Sequence, residues 1–397
     1  MGDNPCMSVA GPISARREGW LILAACVLLP LLGAGLAGRD LASLVRFPPP
    51  LAIPACPAFS WIAAAAVMGV VSAIALPWVR KWGASVPPRR ASPTRCRCPT
   101  VAPLRQLPLW GWLALAWIAL WWWLAWTRQP WFAWGQRYTF TPLWLGLIVA
   151  VNASTWRRAG TCLLVRAPRR MAVLFAGSAA FWWLFEWLNR FVRNWHYLGV
   201  VDVGAVEYAL HTSVCFSTVL PAVASVREWL GTCGPLQARL AFGPVWRPLN
   251  RPGLAGWLLA VGATGLLFTG VWPVYFYAAL WSAPLLLAVG MAISGRRTGW
   301  WAQIAAGDWR DAGSWALAAL ACGLFWELWN YHSLAKWVYT VPYVQRWPVF
   351  EMPLLGYAGY LPFGLECALA VAWLNTMPPP PLPLENLGDA TIRGESN

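Results

Sequence analysis

The chain is poor in charge. Only 11% of its 397 residues are Asp, Glu, Lys or Arg, roughly half the share found in water-soluble proteins. Negative charge is scarcest, with 15 carboxylates against 30 Lys and Arg and 3 histidines. An ordinary soluble globular domain is therefore excluded. Paired thiols are also lacking. The 10 cysteines are scattered, only Cys96 and Cys98 lie close together, and no second Cys/His pair completes a metal-site spacing. They read as reduced packing residues. Absent too are a phosphate-cradling glycine loop, a serine nucleophile elbow, a dinucleotide fingerprint and a His-Glu-x-x-His spacing. His196, His211 and His332 are the only histidines. The pattern points to no metal and names no cofactor.

What is present is apolar length. Hydrophobic residues make up 59% of the chain, gathered in runs long enough to cross a bilayer as helices. Backbone inside lipid must bond to itself, so the expected class is all-α, a polytopic integral membrane protein. About ten spans are predicted, near residues 20–38, 59–79, 109–126, 141–156, 171–189, 204–226, 254–272, 274–294, 312–330 and 352–376. The first reads as a retained helix rather than a cleaved signal. The 33 tryptophans crowd near span ends, as interfacial anchors do. The net charge of +15 does not imply nucleic acid, because the basic residues sit in short loops between apolar runs. The partner it implies is the lipid bilayer.

The chain divides into two leading helices and a basic linker (1–108), a four-helix unit (109–253), a second four-helix unit (254–376) and a polar tail (377–397). The units resemble each other. Phe185-Glu186-Trp187-Leu188-Asn189 parallels Trp326-Glu327-Leu328-Trp329-Asn330, and Trp195-His196-Tyr197 parallels Trp337-Val338-Tyr339. Glu207 parallels Glu351, each opening the last span of its unit. A tandem duplication is expected, and an even number of spans per unit gives both units the same orientation.

The candidate site is the set of carboxylates at one end of these spans. Glu186 and Asn189 share a helix face, as do Glu327 and Asn330, and Glu207 and His211. Ionisable groups at membrane depth are expensive, which makes them functional candidates. Glu186, Glu327, Glu207 and Glu351 are the candidate catalytic acids or bases. Asn189, Asn330, His211, Trp337 and Tyr339 are candidates for orienting a substrate. Glu366, about 22 Å beyond Glu351 on an unbroken helix, is a deeper candidate.

Phe325-Trp326-Glu327-Leu328-Trp329-Asn330 and Phe350-Glu351-Met352-Pro353-Leu354-Leu355-Gly356-Tyr357 resemble a group of bacterial multi-span membrane proteins with no assigned activity. That resemblance covers the last third of the chain and implies the bacterial inner membrane. More remotely, an acidic helix end, a Trp-x-Tyr element and a Glu opening the next span resemble the lycopene-cyclase-domain proteins. Their Pro-x-Glu-Glu motif is replaced here by Val206-Glu207-Tyr208 and Phe350-Glu351-Met352, each with a single Glu. The resemblance implies that Glu207 and Glu351 protonate a polyene.

Three functions fit the pattern: an intramembrane enzyme acting on a lipid or isoprenoid substrate by carboxylate acid–base chemistry, a transporter or channel with a carboxylate-lined path, and a membrane scaffold. Orientation follows from the loops. Of the 30 Lys and Arg, 22 fall on the side of the N-terminus and 8 on the other, so both termini are expected in the cytoplasm. A membrane-impermeant thiol reagent, applied to cells with a permeabilised outer membrane, should therefore leave Cys6 and Cys96 unlabelled. Labelling of either overturns the topology.

Overall fold

The computed structural model describes residues 12–49, 53–82, 105–199 and 204–376. Cys6, most of the basic linker with Cys96 and Cys98, and the tail from Met377 lie outside the described residues. The described residues are 75% helical with almost no sheet. Its longer helices are α1 (Pro12–Leu36), α2 (Trp61–Trp82), α3 (Leu109–Thr127), α4 (Phe140–Ala159), α5 (Pro168–Val192), α6 (Ala205–Phe216), α7 (Val219–Gly231), α8 (Pro252–Val271), α9 (Ala279–Ser294), α10 (Arg310–Tyr331) and α11 (Tyr360–Leu374).

Eight segments among the described residues are long and apolar enough to cross a membrane. They fall in α1, α2, α3, α5, α6 with α7, α8, α10, and α11 with the turn before it. Two of the ten expected spans, both helical, are not among them. The helix α4 is long enough, but Asn152, Thr155, Arg157 and Arg158 dilute its apolar character. In the other, the chain turns at Tyr277 and Ala278, leaving α9 with 16 residues, about 24 Å of helix against a hydrocarbon core of about 30 Å.

Exposure is inverted relative to a soluble protein. Ile62, Leu109 and Trp257 are 84%, 74% and 72% exposed, a pattern suited to lipid tails and hazardous in water. The interior is aromatic, with Trp144, Phe185, Phe191 and Phe363 fully buried. Helix α8 packs along α9 and α1, α10 along α11 and α7, and α3 along α4. The α1–α8 crossing depends on small residues. A Cβ on Gly270 would lie 2.1 Å from the Pro30 carbonyl oxygen, and one on Gly33 would lie 1.9 Å from that of Leu267. Close backbone approach of this kind drives helix association where apolar burial gives no advantage over lipid.

Two short strands hold the helix ends together. Helix α5 closes at Arg193, which adopts a left-handed φ of 53°. The chain then extends as β1 (Trp195–Leu198), whose aromatic residues favour a pleated surface. Past α10, β2 (Lys336–Tyr339) pairs with it antiparallel. Trp195 faces Tyr339, His196 faces Val338 and Tyr197 faces Trp337. A two-fold rotation about the His196–Val338 pair of this ladder carries Trp195 onto Trp337 and Tyr197 onto Tyr339. A tight hairpin, β3 (Pro348–Val349) with β4 (Met352–Pro353), then leads into α11.

Replacing Gly270 by Leu should force α1 from α8 at an overpacking cost of roughly 1–3 kcal/mol or more, lowering the melting temperature of the detergent-purified protein. Gly256→Leu, at a position open on all sides, should be tolerated. Equal loss from both variants would contradict the close crossing.

Candidate functional site

Glu186 and Glu327 lie near the C-terminal ends of α5 and α10, facing inward and buried, with exposures of 8% and 0%. Each has one carboxyl oxygen filled by aromatic donors. Glu186 Oε1 accepts from Trp182 Nε1 at 3.0 Å, Trp195 Nε1 at 3.0 Å and Tyr197 Oη at 2.6 Å. Glu327 Oε1 accepts from Tyr339 Oη at 2.7 Å, Tyr360 Oη at 3.0 Å and Trp337 Nε1 at 3.3 Å. Glu327 Oε2 is buried with no partner.

The two asparagines bind backbone. Asn189 bonds the backbone of the strand that follows it, donating to Trp195 O at 2.9 Å and accepting from the Asn194 amide at 2.7 Å. Asn330 does the same, donating to Trp337 O at 2.7 Å and accepting from the Trp337 amide at 2.8 Å. Each clamp fixes where a strand leaves its helix, and so where the next indole and phenol reach the carboxyl group.

The donors line a single cavity of about 350 Å³, a size in the range of ligand pockets. Its wall includes Trp182, Trp195, Tyr197, Trp337, Tyr339 and Tyr360, with Trp281 and Trp326 among the other rings. Arg137, Asn194, His211 and Lys336 supply its polar edge. Burial, reinforced by the adjacent Glu186 charge, pushes the Tyr197 phenol well above its usual range. Burial and then Glu327 do the same to Tyr339. Both phenols therefore stay protonated and act as donors. His196, between the two tyrosine-bearing positions, is pushed down by burial and stays neutral. Its Nε2 lies 3.0 Å from Arg193 O and 2.9 Å from Thr340 Oγ1.

Glu207, His211, Glu351 and Glu366 make no hydrogen bond to either buried carboxyl. The side chain of Glu207 is 52% exposed, with Tyr138 Oη at 3.3 Å and Arg137 at 3.9 Å. His211 packs edge-on against Tyr138 at 5.0 Å. Glu351 sits in the hairpin before α11, where it forms an ion pair with Lys336. It does not open a membrane helix as expected, because the chain passes through β4 and a 3-10 turn (Leu354–Gly359) before α11 starts at Tyr360. Glu366 is consequently six residues into α11, about 9 Å along it, not 22 Å from Glu351 on one helix. It is buried with no hydrogen-bond partner for either oxygen and does not line the cavity.

Four partners escaped the sequence reading, among them Trp195, the counterpart of Trp337. Trp182 sits one turn before Glu186, a spacing that could have revealed it. Tyr197 is the counterpart of Tyr339. Tyr360 comes from another helix, 33 residues beyond Glu327, and carries no local signal. Among the described residues there is no group of three or more His, Cys, Asp or Glu placed to hold a metal.

Fold and site together describe a multi-pass, all-α membrane protein with an aromatic cavity backed by two buried carboxyl groups. Comparison with protein-family models, curated proteins and solved structures finds no match.

Asn330→Ala should strand the Trp337 amide and carbonyl, costing about 1–3 kcal/mol per unpaired group. A lower melting temperature and red-shifted tryptophan emission are expected. An unchanged melting curve would show that the clamp contributes nothing.

Proposed function

We propose that this is an intramembrane enzyme whose cavity takes an unsaturated lipid or isoprenoid chain, with Glu327 as general acid and Glu186 as general base. The observation that carries the reading is that the donors to both buried carboxyls form the wall of one aromatic cavity. The carboxyl O–H of Glu327 would give its proton to one carbon of a double bond, whose electron pair forms the new C–H bond. The neighbouring carbon becomes a cation. Loss of an adjacent C–H proton to Glu186 then restores a double bond, so atoms and charge balance. Faces of Trp and Tyr attract a cation held over them, and the wall is built from such rings. Neither carboxyl lines the cavity itself, so each transfer would pass through a phenol. Tyr339 or Tyr360, its O–H turned to the cavity, would give its proton to the carbon as it takes that of Glu327, and Tyr197 would give its proton to Glu186 as it takes one from the cation. In this reading the buried pair performs the role that the lycopene-cyclase resemblance gives to Glu207 and Glu351.

The architecture proposed with it is ten crossings in a bacterial inner membrane, both termini cytoplasmic, and a tandem repeat of a four-helix unit. What supports the repeat is the like set of partners around Glu186 and Glu327, the like clamps by Asn189 and Asn330, and the ladder register that exchanges equivalent residues. A structural role for the carboxyls is the competing reading, favoured by the three donors already on each Oε1.

One substitution series separates the two. Lipid extracts of cells with and without the gene should differ, and Glu327→Gln should erase the difference at nearly unchanged protein abundance. If the carboxyl only holds the donors, Glu327→Gln retains function while Glu327→Ala lowers abundance. Identical extracts from the two strains would remove the enzymatic reading.

A further inference from the structure

A second pocket, of about 670 Å³, lies at the other ends of the same helices. Arg170 near the start of α5 and Asp311 at the start of α10 line it. Each is sixteen residues from the buried glutamate of its helix, about 24 Å away. This pocket plays no part in the chemistry proposed above.

Its arginines are held in place. Arg166 pairs with Glu228 at 2.9 Å, Arg227 with Asp311 at 2.7 Å, and Arg297 with Glu18. Arg170 Nε donates to Asn375 Oδ1 at 2.6 Å. The carboxylates bind the terminal nitrogens of Arg227 and Arg297 and leave Nε of both buried without a partner. Trp300 Nε1 and Trp373 Nε1 are also buried and unpartnered. All four residues line the pocket. A buried N–H with no acceptor is costly, and native structures contain few. Here four such donors surround one pocket, and the one buried acceptor without a hydrogen bond there, Glu18 Oε2, lies against the Arg297 guanidinium.

A ligand that satisfies only donors must be rich in acceptor oxygens. Arginine nitrogens are suited to phosphate, and four arginines against three carboxylates leave the lining positive. The floor is apolar, formed in part by Ile22, Leu174 and Leu369. A charged rim over an apolar floor at the ends of membrane helices matches an amphiphile, and basic pockets between such helices bind phosphate head groups. We propose that this pocket binds the phosphate head of an anionic membrane lipid, with Arg227, Arg297, Trp300 and Trp373 as donors and the acyl chains on the apolar floor.

The test uses full-length protein in neutral detergent, titrated separately with phosphatidylglycerol, phosphatidylcholine and inorganic phosphate while its melting temperature is followed. Phosphatidylglycerol should raise the melting temperature and phosphatidylcholine should not. The double variant Trp300→Phe, Trp373→Phe keeps both rings and removes both N–H groups, and should bind phosphatidylglycerol about tenfold more weakly, the loss expected for about one charged hydrogen bond. Arg227→Lys keeps the charge but loses the Nε donor, and should weaken binding likewise if the double variant does not fold. Equal shifts with both lipids, or undiminished binding in folded variants, would overturn the proposal. A shift with inorganic phosphate and none with lipid would keep the phosphate chemistry and overturn the lipid assignment.

Discussion

A carboxyl group removed from water is costly unless hydrogen-bond donors meet it, and much of this fold is arranged to bring donors to two of them. Ordinary donors are scarce inside an apolar bundle. Indole and phenol solve the problem because each brings an apolar body and one polar tip. The chain leaves α5 and α10 within about two turns of the glutamate, is held at its exit by an asparagine clamp, and returns a Trp and a Tyr to the carboxyl group it has passed. The abundance of tryptophan thus has a cause beyond anchoring at membrane interfaces. Trp182, Trp195 and Trp337 both fill space and satisfy charge.

The same two helices carry both pockets. Each bears a buried acid at one end and a polar group at the other, sixteen residues away. An aromatic cavity with a few convergent donors and acceptors stands at one end, and a rim of ion pairs over an apolar floor stands at the other. This polarity follows from where the arginines fall in the sequence. Arg166 and Arg297 lie ahead of α5 and α10, Arg170 in the first turn of α5 and Arg227 near the end of α7, beside the loops that carry the positive bias used to orient membrane proteins.

Much of this was readable in the sequence because its signals are local. Apolar runs mark the helices, and Glu186 with Asn189 and Glu327 with Asn330 fall on one face by spacing alone. Trp337 and Tyr339 lie close enough in sequence to be associated with Glu327. The long-range parts were not readable. Tyr360 meets Glu327 from a separate helix, and nothing near either residue announces the contact. The position of Glu351 depends on a hairpin inside a stretch whose composition reads as continuous span, and Lys336 then neutralises it. The number of crossing segments was blurred for a similar reason. A turn at Tyr277 shortens α9, and the polar group that most changes the character of α4, Asn152, bonds inward to Ser225 at 2.8 Å.

The β1–β2 ladder also acts as a clasp. Four residues from each half are zipped together, and the hydroxyl of Thr340 reaches across to Arg193 O at 2.6 Å, beside the His196 ring. Any movement that parted the halves at this end would shear the ladder and strip donors from both glutamates at once. Rocking one side of the bundle against the other, the way repeat-built membrane bundles expose their centres, would meet a mechanical lock here. The long apolar substrate proposed above would reach the cavity at lower cost by sliding between helices from the side, leaving the clasp shut.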